Sequence, residues 1–365
     1  MSKLLQPLPS PLPRANPELL GHEGAERLLA DAWRSGRLPH AWLISGRRGV
    51  GKATLAYRFA RFVLAGGVAV DAKPSLELLA DHPVFRRTAA GTHADLLTVE
   101  SESEEGKARK RREINVEESR RIASFLTKTA AEGGWRVVVV DSADELNRAA
   151  GNAILKLLEE PPAKTLLLLV SHSPGRVLPT IRSRCRHLAL RPLEEATLER
   201  LLRGFCPELE TENCAALVRL AEGSIGQALR LAELGGLDLY RELMALLKTL
   251  PEMDVPALHD FAGRLSGPRG GEGWFVATDL LSHWFAELIK RNALGREMPE
   301  IMGGENALGR RLQARANLAE WAEVWEKMNR LSAEAERSNL DRKQVLLNIF
   351  HTLEGAVRQP AGPTG

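Results

Sequence analysis

Cysteine is scarce in this chain of 365 residues, and its positions suit neither cross-linking nor metal binding. Cys185, Cys206 and Cys214 are odd in number and show no C-x-x-C spacing, which argues against a disulfide framework and a zinc knuckle. We therefore expect reduced thiols and a cytoplasmic protein.

Long apolar runs and stacking aromatics are also lacking. No window approaches the roughly 18 apolar residues that a membrane-spanning helix needs, and the proline-rich N-terminus does not resemble a signal peptide. The aromatic residues are only 5% of the chain and are scattered along it, so no platform for stacking bases is evident. Because the net charge is only +3, any nucleic-acid contact needs a local basic patch.

The first half of the chain instead alternates short apolar runs with amphipathic patterns. Several runs are continuously apolar, as expected for strands whose sheet is covered by helices on both faces. The predicted strands are AWLIS (41–45), DLLTV (95–99), WRVVVVD (135–141), TLLLLVS (165–171) and HLALR (187–191). Helices are predicted at 23–37, 53–67, 116–132 and 147–160. The alternation predicts an α/β fold with a doubly wound parallel sheet.

The second half loses the strand signal and reads as helices throughout, including long ones at 278–294 and 310–337. A break at 249–255 divides it into a small helical part and a C-terminal bundle. We predict an α/β domain at 1–191, a helical lid at 192–248, a helical domain at 249–358 and a disordered tail at 359–365.

The stretch GRRGVGKAT at 46–54 follows the phosphate-loop pattern G-x-x-x-x-G-K-[ST] except at one position. Backbone N–H groups and a lysine would cradle phosphate there, and the residues concerned are Gly46, Gly49, Gly51 and Lys52. The next residue normally gives a hydroxyl to magnesium, but it is Ala53, and Thr54 lies about 100° further round the helix. We predict a phosphate loop with impaired metal binding; a plain glycine-rich turn is the alternative.

A second candidate site residue, Asp141, ends an apolar strand, where ligands bind in open α/β sheets. It is either a metal-side carboxylate or a cap for the following helix. A hydrolase of this type needs a water-orienting carboxylate at the next position, which is Ser142. Because loss of a positioned base typically removes about 10²–10⁴ in rate, efficient hydrolysis is not expected.

Two basic segments have open interpretations. The arginines of TIRSRCR at 180–186 are either solvated surface charges or include an arginine finger given to a neighbouring subunit. The run KARKRR at 107–112 lies within a charged segment at 100–115 that reads as a solvated loop or hairpin, and it could contact phosphates.

Three stretches together closely resemble the delta prime branch of the bacterial DNA polymerase III clamp-loader family, which is related to the AAA+ tau/gamma motor subunits. They are HAWLISGRRGVGKATLA, VVVVDSADELNRAAGNAILKLLEEPP and VSHSPGRVLPTIRSRC. The resemblance covers about 20–235, whereas the C-terminal third agrees only in being helical. It implies a nucleotide-binding α/β domain, a three-helix lid and a helical collar that joins subunits into a ring.

The resemblance gives the unusual residues a meaning. Ala53, Ser142 and Gly226 stand where the motor has its magnesium hydroxyl, its catalytic glutamate and a sensor arginine. Ser171 falls near another sensor position, and Arg184 in the intact S-R-C motif is the implied finger that reaches a neighbour's ATP. The implied nucleotide site is degenerate, with Gly46, Gly49, Gly51, Lys52, Thr54 and Asp141 as its residues.

The resemblance further implies a non-hydrolysing scaffold that works with tau/gamma motor subunits and the delta subunit. Through the complex it would act on the sliding clamp and primer-template DNA. The family's four zinc cysteines are missing, and His82 and His93 lack sulfur partners, so we expect no zinc. No cofactor is required, and binding of ATP or ADP stays open. The alternatives are an active ATPase motor subunit and a DNA-binding accessory protein.

Overall fold

The computed structural model describes residues 10–67, 75–100, 114–267, 271–338 and 340–358. These residues form two compact units. The α/β unit comprises the described residues of Pro9–Leu201 together with Glu222–Gln227, and the helical unit comprises those of Leu202–Ala221 and Ala228–Gly365. The division into an α/β domain, a lid and a collar stays a prediction, and the predicted tail at 359–365 lies outside the described residues.

The α/β unit is built on a five-stranded parallel sheet in the order β2-β3-β4-β1-β5. The strands are β1 (Ala41–Ser45), β2 (Leu96–Val99), β3 (Arg136–Val140), β4 (Thr165–Ser171) and β5 (Arg186–Ala189). Its first helices are α1 (Glu23–Arg34), α2 (Lys52–Leu64), α3 (Pro83–Ala90), α4 (Val116–Thr127), α5 (Arg148–Glu159) and α6 (Pro179–Arg182). The predicted α/β fold with a parallel, doubly wound sheet is confirmed.

The central strands are buried on both faces, which explains why the sequence shows them as continuous apolar runs. Every residue of β3 and β4 is buried. One core cluster joins inward residues of the strands to helix residues such as Ile122 of α4 and Ile154 of α5. The pairing of β1 with β4 brings Ser45 and Ser171 side by side at the carboxyl ends of the two strands.

Three predicted helices end at least three residues earlier than expected, and one of them, predicted at 53–67, is α2 and ends at Leu64. The helix predicted at 116–132 is α4 and ends at Thr127, because the Asp95 carboxylate accepts hydrogen bonds from the backbone N–H groups of Ala131 and Glu132 (2.7 and 3.0 Å). The helix predicted at 23–37 ends at Arg34 in a turn that contains Gly36 with a left-handed φ of 68°.

The rest of the described chain is helical, as predicted. The helices are α7 (Glu195–Phe205), α8 (Thr211–Ala221), α9 (Ile225–Glu233), α10 (Gly236–Thr249), α11 (Val255–Ser266), α12 (Gly271–Ala293), α13 (Glu305–Gln313), α14 (Leu318–Ser338) and α15 (Arg342–Arg358). In the helical unit, α12 packs against α10 and α14, and α11 packs against α15. The large buried rings include Trp284, Phe285, Trp321 and Phe350.

The prediction of a single long helix at 310–337 is wrong, because α13 ends at Gln313 and a separate helix, α14, begins at Leu318. Asn317 begins α14 with a reciprocal cap: its side-chain oxygen accepts from the N–H of Glu320 (3.0 Å), and the Glu320 carboxylate accepts from its N–H (2.8 Å). Such a capping box satisfies N–H groups that a helix start leaves unpaired, so it favours a new helix over a continued one.

Candidate functional site

The predicted phosphate loop lies between β1 and α2, at the edge of the sheet where the strands end. Gly46, Gly49 and Gly51 have φ angles of 150°, 75° and 108°, which residues with a side chain rarely adopt. The strand, the glycine turn and the helix start therefore have the local structure that the sequence pattern predicts.

Neighbouring atoms also leave no room for a side chain at two of these glycines. A Cβ at Gly46 would come within 2.7 Å of the Leu190 carbonyl oxygen, and one at Gly51 within 2.9 Å of the Leu19 side chain. His22 adds a ring nitrogen at 2.8 Å from the carbonyl oxygen of Val50. The chain before α1 and the residue after β5 thus hold the loop from outside.

Lys52 opens α2 and is almost fully buried, with 3% of its surface exposed. Its ammonium donates to the carbonyl oxygens of Gly46 (2.8 Å) and Arg47 (2.6 Å). Burial lowers the pKa of Lys52 to about 8, although the Asp141 and Asp144 carboxylates oppose the shift. The loop therefore holds its own lysine through backbone oxygens.

The two residues after Lys52 differ in their surroundings. Ala53 is half-buried and carries no hydroxyl, whereas Thr54 is buried together with its helical neighbours Leu55 and Ala56. The side chain at position 53 accordingly offers no oxygen to a metal ion. The residue after the lysine thus lacks the hydroxyl that such loops give to magnesium.

Asp141 and Ser142 follow β3 at the same sheet edge. Burial raises the pKa of Asp141, and so does the nearby Glu100 carboxylate, while Lys52 lowers it. Ser142 has a left-handed φ of 68° and places its hydroxyl oxygen 3.4 Å from Nε2 of His172. The position that follows Asp141 therefore holds a hydroxyl beside an imidazole and no carboxylate.

His172 belongs to this site although sequence reasoning missed it. It follows Ser171, the fully buried last residue of β4, and β4 lies between β1 and β3. Its backbone N–H donates to the Asp144 carboxylate (2.9 Å). Burial and the charge of Lys52 lower the pKa of His172 to about 4, so its ring is neutral at pH 7. The position of β4 between β1 and β3 would have indicated this residue, but local sequence patterns do not reveal the strand order.

Gly226, the residue at the implied sensor position, lies against the loop. Its backbone N–H donates to the carbonyl oxygen of Gly49 (3.0 Å). No side chain projects from this position toward the phosphate-binding groups. Lys52 thus lies near Asp141 at the sheet edge, and Gly226 contacts the loop at Gly49.

Arg184 lies elsewhere in the α/β unit, just after α6 and exposed to solvent. Its guanidinium pairs with the Glu159 carboxylate at the end of α5 (2.8 Å) and donates to the carbonyl oxygen of Thr180 (3.1 Å). The next residue, Cys185, is buried and anchors the turn, whereas Arg182 donates to the carbonyl oxygen of Pro174 (3.3 Å).

The histidines considered as zinc ligands have structural contacts. The His82 ring accepts from the N–H of Val84 at the start of α3, and the His93 ring accepts from the N–H of Asp95 (both 3.2 Å). Within the described ranges, no group of three or more His, Cys, Asp or Glu side chains could hold a metal ion. The basic run at 107–112 lies outside the described residues.

The chain is similar in sequence to subunits of DNA polymerase III. Residues 21–194 match a family model described as DNA polymerase III, delta subunit. The chain is 36% identical to the delta prime subunit of DNA polymerase III from Pseudomonas aeruginosa over 255 residues, which is 68% of this chain and 70% of that protein. The chain belongs to the delta prime family of DNA polymerase III subunits.

Other matches agree with this assignment to the delta prime family. The Escherichia coli delta prime subunit is 36% identical over 208 residues, which is 56% of this chain and 58% of that protein. The Escherichia coli tau subunit is 29% identical over 225 residues, 60% of this chain and 33% of that protein. The family model at 21–194 covers both the predicted phosphate loop and Arg184. None of the helices in the described ranges is long and apolar enough to span a membrane.

Proposed function

We propose that this delta prime chain is a non-hydrolysing clamp-loader subunit that gives Arg184 to the ATP of an adjacent motor subunit. The observation that carries the proposal is a contrast: the chain's own strand-edge site lacks the groups for hydrolysis, whereas Arg184 is exposed. In this role the chain helps the loader place the sliding clamp on primer-template DNA in the cytoplasm.

The site argues against hydrolysis by the chain itself. Ala53 supplies no magnesium ligand, and Ser142 supplies no carboxylate to orient water. The His172 ring beside Ser142 is an alternative base, but a ring with a pKa of about 4 takes up protons poorly at pH 7. The loop glycines and Lys52 still suit a phosphate group. Binding of ATP or ADP therefore does not depend on the groups that hydrolysis needs.

The surroundings of Arg184 support a role outside its own subunit. An exposed ion pair such as that with Glu159 typically contributes only about 0–1 kcal/mol, so a phosphate can replace the carboxylate at small cost. The guanidinium forms bidentate hydrogen bonds with phosphate oxygens. In phosphoryl transfer an arginine supplied by a neighbour contributes about 10³–10⁵ in rate.

The partners follow from the family. We propose tau/gamma motor subunits and the delta subunit as direct neighbours, because a delta prime subunit and a tau subunit of one DNA polymerase III, that of Escherichia coli, are both similar to this chain. The clamp and the DNA are then reached through the complex.

The test is Arg184→Ala in the reconstituted complex. ATP hydrolysis should fall by about 10³-fold or more at the site that Arg184 faces, while assembly stays intact. Arg186→Ala is the matched control, because Arg186 is exposed two residues away. An unchanged hydrolysis rate in Arg184→Ala would remove the finger assignment. Magnesium-dependent hydrolysis by the isolated chain, lost in Lys52→Ala, would instead favour an active motor.

A further inference from the structure

The backbone conformation at position 226 does not require a glycine. It lies in the first turn of α9 and lacks a left-handed φ, and glycine weakens a helix relative to alanine. Other helix glycines, such as Gly204 in α7 and Gly263 in α11, have open space where a Cβ would stand. At Gly226 a Cβ would come within 2.8 Å of the Gly49 Cα. Contact with the phosphate loop therefore explains the absence of a side chain.

The same contact restricts the loop from the other side. A Cβ at Gly49 would come within 2.6 Å of the Ser224 hydroxyl oxygen and 2.9 Å of the Gly226 Cα. The two backbones thus approach as closely as only a pair of glycines permits.

Hydrogen bonds join the two backbones at this contact. The Gly226 N–H donates to the Gly49 carbonyl (3.0 Å), and the Ser224 hydroxyl donates to the Arg48 carbonyl (2.7 Å). The Ser224 oxygen also accepts from the N–H of Gln227 (3.1 Å), which caps the start of α9. All acceptors on the loop are carbonyl oxygens, whereas a phosphate would be bound by the loop's N–H groups.

Further contacts hold the residues that precede Ser224. Arg47 forms an ion pair with the Glu222 carboxylate and donates to its carbonyl oxygen (3.3 Å). On the other side, the Gly223 carbonyl accepts from the N–H of Leu193 (2.9 Å), and a Cβ at Gly223 would come within 2.5 Å of Pro192. Residues 222–227 therefore lie between the loop and the chain that follows β5.

We propose that Glu222–Gln227 is fastened to the phosphate loop by protein contacts alone, with Gly49 and Gly226 as a backbone latch. The position of this segment is then independent of nucleotide. The latch does not rest on the proposed function, because it holds whether or not the loop binds ATP. It also explains the glycine at the implied sensor position, since any side chain there would force the latch open.

Hydrogen exchange on the full chain measures the latch directly. Without nucleotide, the amides of Gly226 and Gln227 should exchange slowly, and magnesium with ATP or ADP should change their rates by less than about two-fold. Exchange at unprotected rates without nucleotide, or slowing by more than about ten-fold when nucleotide is added, would overturn the proposal.

Variants separate the latch from general stability. Gly226→Ala should speed exchange across 223–227 by about ten-fold or more, whereas Gly204→Ala, which adds the same methyl group in open space, should not. Unchanged exchange in Gly226→Ala would count against the latch. If Gly226→Ala does not fold, Ser224→Ala decides, because it only removes atoms: faster exchange of Gly226 supports the latch, and unchanged exchange overturns it.

Discussion

At the scale of single residues, the site combines a well-formed loop with missing catalytic groups. Gly46, Lys52 and Asp141 could be predicted because each is fixed by the residues adjacent to it in the chain: a strand, a turn or a helix start. His172 could not, because its relation to Lys52 depends on β4 lying beside β1, which no local pattern reveals. Sequence reasoning thus found the loop and missed the imidazole.

Lys52 should make the stability of the chain depend on pH. Its pKa falls from an ordinary 10.5 to about 8, so between these values the unfolded chain holds a proton that the folded chain has released. The free energy of unfolding therefore rises with pH across this window, by up to about 3 kcal/mol. Denaturant unfolding at pH 8 to 10.5 should show this rise in the natural chain relative to Lys52→Met. Lys156→Met, at an exposed position, is the control, and parallel curves for Lys52→Met and the natural chain would contradict the assignment.

At the scale of elements, the strands were easier to predict than the helix ends. The runs at 41–45 and 165–171 match β1 and β4 to the residue, because burial on both faces favours a nearly continuous apolar run. The end of α4 was missed because Asp95, distant in the chain, binds the backbone after it. The break before α14 was different: N-x-x-E at 317–320 is a local signal that the apolar periodicity concealed.

The Asn317 cap should contribute measurably to the helical unit. Asn317→Ala removes the acceptor for the N–H of Glu320 and should lower the free energy of unfolding by about 1 kcal/mol. Asn317→Asp retains an acceptor and should lie within about 0.5 kcal/mol of the natural chain. Chemical denaturation followed by helix circular dichroism measures both. Equal destabilisation by the two variants would show that the capping oxygen at position 317 does not contribute to the stability.

At the scale of the whole molecule, the family match and the two units do not coincide. The matched residues 21–194 lie in the α/β unit, whereas the helical unit extends through α15. The phosphate loop, the latch and Arg184 all belong to the α/β unit. The helices after the 249–255 break therefore need a role of their own, and we infer that they join the chain to its neighbours.

Removing those helices should separate assembly from the α/β fold. A chain that ends at Thr249 lacks α11–α15 but keeps β1–β5 and the core between them. Mixed with tau/gamma and delta subunits, it should fail to enter the complex on size-exclusion chromatography, whereas the full chain enters. Slow hydrogen exchange in β1 and β4 is the control for an intact sheet, because those strands are buried at the centre of their unit. Normal incorporation of the shortened chain would contradict the collar assignment and transfer the contacts with neighbouring subunits to the residues before 250.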